Sequence, residues 1–184
     1  MKVILASASP RRKELLSEIF DEFEVLPQNV DEKSNYSRPR FIAQDLAKIK
    51  LGSLGKSYAD CLIISADTIV YKNGRVYGKP KDEAQAKNFL DELSGDVHFV
   101  YTGVAIYYKG KTTTFYDKSS VKFKALSEEE KLAYIASGSP MDKAGAYGIQ
   151  DSAVVESYEG SYSNIVGLPM EKLKEKLRDL TNSL

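Results

Sequence analysis

The segment CLIISADTIVY, residues 61–71, constrains the fold of this chain more than any other. It is the strongest strand signal, a run of apolar and β-branched residues that belongs inside a sheet. The Asp67-Thr68 pair interrupts it at its centre. A carboxylate in a buried strand carries a desolvation cost of several kcal/mol unless it meets a cation, a metal or strong donors. Two readings fit. Asp67 is either a strand-end residue bonding the N–H groups of the next turn, or part of a site. The second is favoured, because α/β proteins place sites where polar residues break the C-terminal ends of strands.

The rest of the chain supplies the partners of such a strand. KVILA (2–6) reads as a short strand covered on both faces, and a helix follows from Pro10 to about Phe20 with Leu15, Leu16, Ile19 and Phe20 inward. FEVLP (23–27) is a second strand, and a helix from Pro39 to about Leu54 is expected to bury Phe41, Ile42, Leu46 and Ile49. Asn73-Gly74 signals a hairpin, residues 82–95 a helix with Gly95 just past its end, and Lys109-Gly110 a turn between two long β-rich runs. Ser127 and Glu130 form a capping box for a helix ending at Gly138. DKAGAYGIQD is irregular, two short strands flank Glu159-Gly160, and residues 170–180 close the chain as a helix. This order points to α/β architecture, a central sheet flanked by helices, in a single domain spanning 1–184.

Charge narrows the partner. Lys plus Arg and Asp plus Glu number 26 each among 184 residues, so the formal net charge is zero. A general nucleic-acid or anionic-membrane surface needs positive potential on one face, so the expected partner is a small molecule. Cys61, the one cysteine, reads as a buried hydrophobe in a reducing compartment. MKVILAS turns polar too soon for a signal sequence, and no apolar run approaches the roughly 20 residues of a membrane span. The expected location is the cytoplasm. One histidine, His98, excludes multi-histidine metal sites and reads as a packed strand residue.

Local clusters can still bind anions. LASASPRRKELL (5–16) carries Ser7, Ser9, Arg11 and Arg12 from a strand into a helix start, where unpaired N–H groups and the helix dipole attract negative charge. Ser9 also fits a plain N-cap with Pro10 at N1. Two arginines oppose the dipole there, which favours the anion site. Glu32 in VDEKSN is a candidate second carboxylate, and with Asp67 it could hold Mg²⁺ through oxygen ligands. Lys79 in YGKPK and Lys50 on the second helix suit a phosphate or simply solvent. In MDKAGAYGIQDS (141–152), glycines permit close approach and the Gln150 amide could read a base edge.

LASASPRRKELL, VDE, LAKIK, SADTIV, GKP, LSGDVHFVYTGV, PMDKAGAYGIQ and NIVGLP occur in order from residue 5 to residue 169. Together they resemble the Maf family of nucleoside triphosphate pyrophosphatases. The resemblance implies an elongated central mixed sheet flanked by helices, with two lobes and a cleft, similar to inosine-triphosphate pyrophosphatases. It implies hydrolysis between the α- and β-phosphates, dependent on a divalent cation (Mg²⁺ or Mn²⁺), giving the monophosphate and pyrophosphate. Asp67 matches the catalytic aspartate, and Ser7, Arg11, Arg12, Glu32, Lys50 and Lys79 match phosphate- and metal-binding positions. Arg11, Thr68 and Gln150 fit the subgroup acting on dTTP and UTP. The resemblance also implies a homodimer. Asp67 is expected to orient or deprotonate a water, with Glu32 and Asp67 on the metal; at an unperturbed pKa near ~3.9 it is a weak base, so metal activation should contribute more. Two other readings stay open: a broader pyrophosphatase for modified nucleotides, and a non-catalytic nucleotide-binding regulator of septum formation.

Overall fold

A computed structural model describes residues 1–52 and 54–182. Strand β1 (Val3–Leu5) leads through a serine-rich turn into helix α1 (Pro10–Ser17), then β2 (Glu24–Val25), α2 (Pro39–Leu51) and the short α3 (Leu54–Ser57). The long β3 (Leu62–Lys72) and β4 (Arg75–Tyr77) form a hairpin before α4 (Glu83–Leu93). Strands β5 (Val97–Tyr108) and β6 (Lys111–Phe123) precede α5 (Glu128–Ala136) and two 3₁₀ turns at Ser139–Asp142 and Ala144–Ala146. Strand β7 (Val155–Glu159), α6 (Tyr162–Val166) and α7 (Met170–Asn182) complete the chain.

The sheet order is β2-β1-β3-β5-β6-β7, with β4 added on β3. Pairing is parallel from β2 through β1 to β3 and antiparallel from β3 onwards. The expected mixed sheet flanked by helices is what forms. Side chains alternate along β3, so successive residues serve opposite faces. Ile63, Ser65 and Ile69 face α2: Ile63 packs with Ala47 and Leu51, Ser65 Oγ donates to the Ala47 carbonyl at 2.7 Å, and Ile69 packs with Ala43 and Leu46. On the other face Ile64 and Ala66 join Leu16 of α1 and Leu173 of α7, whereas Val70 joins Leu90 of α4 and Ile135 of α5. Two separate apolar clusters thus share that face, and Thr68 lies on the seam between them.

Several boundaries differ from the sequence expectation. Helix α1 stops at Ser17 rather than Phe20, and α2 stops at Leu51, where Gly52 takes φ 53°. Position 53, inside the longer helix expected, lies outside the described residues. Phe41 is 38% exposed instead of buried. The inward stripe is Ala43, Leu46, Ala47 and Leu51, and Phe41 precedes Ala43 by two residues, about 200° around the helix. The second strand expected after Glu159-Gly160 is helix α6, because the Ser161 side chain caps it by accepting from the Asn164 N–H. His98 and Cys61 are buried as expected, the histidine against Phe123 and Tyr147.

Candidate active site

Asp67 and Thr68 lie in the middle of β3, not at its end. They nevertheless sit just beyond the stretch where β1 pairs with β3, since Leu5 is opposite Ile64 and the chain then leaves the sheet as the Ser7–Ser9 turn. The parallel pairing ends there, and β3 runs on past it to pair with β4 from Val70.

On the α2 face, Lys50 Nζ donates to Asp67 Oδ1 and lies 3.2 Å from Glu32 Oε1. Asp67 is buried, its side chain 9% exposed against 54% for Glu32. Burial raises the Asp67 carboxyl above its ordinary value, opposed by the pull of Lys50 and Arg12. Helix α2 reaches this position because Gly103 of β5 is paired with Asp67: a Cβ on Gly103 would lie 2.2 Å from the Ala43 carbonyl. A glycine inside a strand marks such an approach, and that signal was present in YTGV.

On the opposite face Arg12 is held three ways. Its Nε donates to the Gly167 carbonyl at 2.8 Å, Nη1 to Ser7 Oγ at 3.1 Å and Nη2 to Thr68 Oγ1 at 3.0 Å. Burial pulls its guanidinium below the ordinary value, opposed chiefly by the charge of Asp67. Ser9 is the N-cap of α1, its Oγ accepting from the Arg12 N–H at 3.5 Å, as the capping reading of the opening turn expects. Arg11 turns the other way and pairs with Asp142 of the first 3₁₀ turn at 3.1 Å, bridging the seam.

Ser7, Arg12, Thr68, Asp67, Lys50 and Glu32 are therefore brought together, whereas Arg11 is engaged by Asp142 instead. Lys79 and Gln150 are not in contact with this group. Lys79 is exposed, without a hydrogen bond or ion pair among the described residues; its neighbour Gly78 accepts from the Gly145 N–H at 3.1 Å. Gln150 is exposed on a turn organised by Asp151, whose Oδ2 accepts from Tyr134, from Ser139 at 3.0 Å and from the Gly148 N–H at 3.2 Å.

The profile of the family described as Maf-like protein matches residues 2–180. The chain belongs to the Maf family. A curated Bacillus cereus relative named dTTP/UTP pyrophosphatase is 48% identical over 180 residues, covering 96% of this chain and 94% of that protein. One from Aquifex aeolicus with the same name is 44% identical over 182 residues, covering 98% of this chain and 96% of the relative. The solved structure of the Staphylococcus aureus Ham1 protein aligns with a TM-score of 0.49 at 14% identity, over 67% of this chain and 72% of that one. That likeness is too partial to carry a residue role. In this Maf-family chain the residues to which motif reading gave no role are Gly103, Thr102, Asn164 and Gly167, which back the site, and Asp142, which engages Arg11. They lie on three separate elements, β5, α6 with its C-cap and the first 3₁₀ turn, so no local pattern joins them.

Proposed function

We propose that the protein hydrolyses nucleoside triphosphates, dTTP and UTP foremost, to the monophosphate and pyrophosphate. The observation that carries this reading is the buried Asp67 carboxylate, held between a lysine that also grips a second carboxylate and a guanidinium fixed by three acceptors. The names of the two relatives supply the nucleotide class.

Glu32 and Asp67 fit a divalent cation of the Mg²⁺ or Mn²⁺ type. Both offer hard oxygen donors and both converge on one ammonium group, which marks a point where positive charge is accepted. Among the described residues no group of three or more His, Cys, Asp or Glu side chains is assembled, and phosphate oxygens and water would supply the remaining ligands. When bound, the ion supplies charge neutralisation at the phosphates and polarisation of the attacking water. The chain's own residues do the rest. Arg12 and Arg11 neutralise phosphate oxygens, Arg11 by exchanging Asp142 for substrate, and Ser7 adds a hydroxyl. Lys50 swings its ammonium from the carboxylates toward phosphate. Asp67, freed from that ammonium, orients the water in line with the α-phosphorus and accepts its proton. Gln150 discriminates the base, Thr68 holds the Arg12 guanidinium in place, and Lys79 meets the distal phosphates.

The test is pyrophosphate release over a panel of dTTP, UTP, ITP and modified-base triphosphates, with and without Mg²⁺ or Mn²⁺. The expected result is metal-dependent release, fastest with dTTP and UTP. Equal rates across the panel would leave the broader pyrophosphatase, and absence of release with every divalent ion would leave nucleotide binding without turnover.

A further inference from the structure

Behind the site, Thr68 is joined to a buried hydroxyl, that of Thr102, to which the proposed chemistry gives no role. Thr102 is fully buried on β5, directly opposite Thr68. Its neighbours on the same face, two residues away on either side, are Val100 and Val104, both buried. A β-branched apolar residue therefore suits this strand, and the hydroxyl at 102 is there for its hydrogen bonds.

Those bonds have a fixed direction. Thr102 Oγ1 donates to the Asn164 carbonyl at 2.8 Å, which commits its single proton. The 2.9 Å contact between Thr68 Oγ1 and Thr102 Oγ1 must then have Thr68 as donor. Only lone pairs remain on Thr68 Oγ1, and they accept from Arg12 Nη2 at 3.0 Å. Arginine has no acceptor, so the relay runs one way, from Arg12 to Thr68 to Thr102 to Asn164. Its far end is anchored: the Asn164 side-chain Nδ2 donates to the Val100 carbonyl at 3.2 Å and to Ser119 Oγ at 2.9 Å.

We propose that Thr102 is a positioning residue for the nucleotide site. By accepting the hydrogen bond from the Thr68 hydroxyl it turns the Thr68 lone pairs toward Arg12, and so fixes the plane in which Arg12 presents its remaining N–H groups to phosphate. A guanidinium carries five N–H groups and three are committed, so two are left, and their direction is set by the three bonds already made. The inference rests on Arg12 as a phosphate ligand in the reading above.

Thr102→Val, Thr102→Ser and Thr68→Val, together with the double valine variant, test it. Thr102→Val should raise the KM for dTTP about tenfold while kcat stays within about threefold, as expected when one charge-assisted bond loses its orientation. Thr102→Ser, which keeps the hydroxyl, should return KM to within about twofold of the starting protein. Adding Thr102→Val to Thr68→Val should change KM little, because Thr102 acts through Thr68. The Kd for inorganic tripolyphosphate, measured by calorimetry without turnover, should move in parallel. If the unaltered protein does not hydrolyse nucleotides, the functional reading falls and this Kd still decides the role of Thr102. Unchanged KM and Kd in Thr102→Val, with only a lower melting temperature, would overturn the proposal. Failure of serine to rescue, or full additivity of the two valine changes, would do the same. Should Thr102→Val not fold, Thr102→Cys retains a weak donor and must give a Kd between those of the serine variant and Thr68→Val.

Discussion

Two charge clusters in this molecule have nearly the same ingredients and opposite behaviour. Between α4 and α5, Lys87 and Lys131 alternate with Asp91 and Glu128 at 2.8 to 3.1 Å. At the site, Lys50 joins Asp67 and Glu32, with Arg12 nearby. In the first cluster the lysine hydrogen bonds hold the Asp91 and Glu128 carboxyls below their ordinary values. In the second, burial lifts Asp67 above its own. The side chains of Asp91 and Glu128 are 37% and 64% exposed, against 9% for Asp67. Desolvation, rather than the count of partners, decides the sign. The surface carboxylates are held charged by their partners, whereas the buried one keeps a net cost of carrying its charge.

The largest effect should come from removing the buried charge. Asp67→Asn keeps the shape and is expected to lower kcat by about 10³-fold or more, with nucleotide binding still measurable by calorimetry. The equivalent change in the other cluster, Asp91→Asn, should leave kcat untouched; a comparable loss there would break the contrast. Next in size is Gly103→Ala, whose methyl group would overlap the Ala43 carbonyl. It should destabilise the fold by about 3 kcal/mol, read as a lower denaturant midpoint, and separate Lys50 from Asp67.

A third buried group extends the comparison to pH. Burial lowers His98 from 6.5 to about 4, with its Nε2 2.7 Å from the Tyr147 hydroxyl. The unfolded chain takes up this proton below pH 6.5 and the folded chain only below about 4. Stability is therefore complete above pH 6.5 and declines as pH falls towards 4, by roughly 3 kcal/mol from this residue, visible in denaturation midpoints at several pH values. Replacing His98 by a neutral residue should flatten that slope. The smallest effect belongs to the exposed cluster. Lys87→Met should shift the melting temperature by about a degree or two, a difference that 0.5 M salt (Debye length about 4 Å) should erase, whereas Lys50→Met should lower it several times further at any salt concentration.

The sequence alone determined the elements and the chemistry types. The apolar run around Asp67 required a buried strand, the serine and proline at residues 9 and 10 required a helix start, and the Ser127–Glu130 spacing required the capping box that forms. These are local matters, set by residues a few positions apart. Local reading also overextended α1 and α2 and took Ser161–Val166 for a strand, because tertiary packing and a single cap decide where short elements stop. What only the tertiary structure decided is which polar groups meet. Arg12 reaches Thr68 and Gly167, Lys50 reaches Asp67 because Gly103 lets α2 approach, and Arg11 finds Asp142 across the seam, over separations of 17 to 155 residues. Lys79, with the same ammonium group as Lys50, and Gln150 stand outside that group. Side-chain type is written in the chain, but the low dielectric that gives a carboxylate or a guanidinium its altered proton affinity exists only after the sheet and its helices have closed around it.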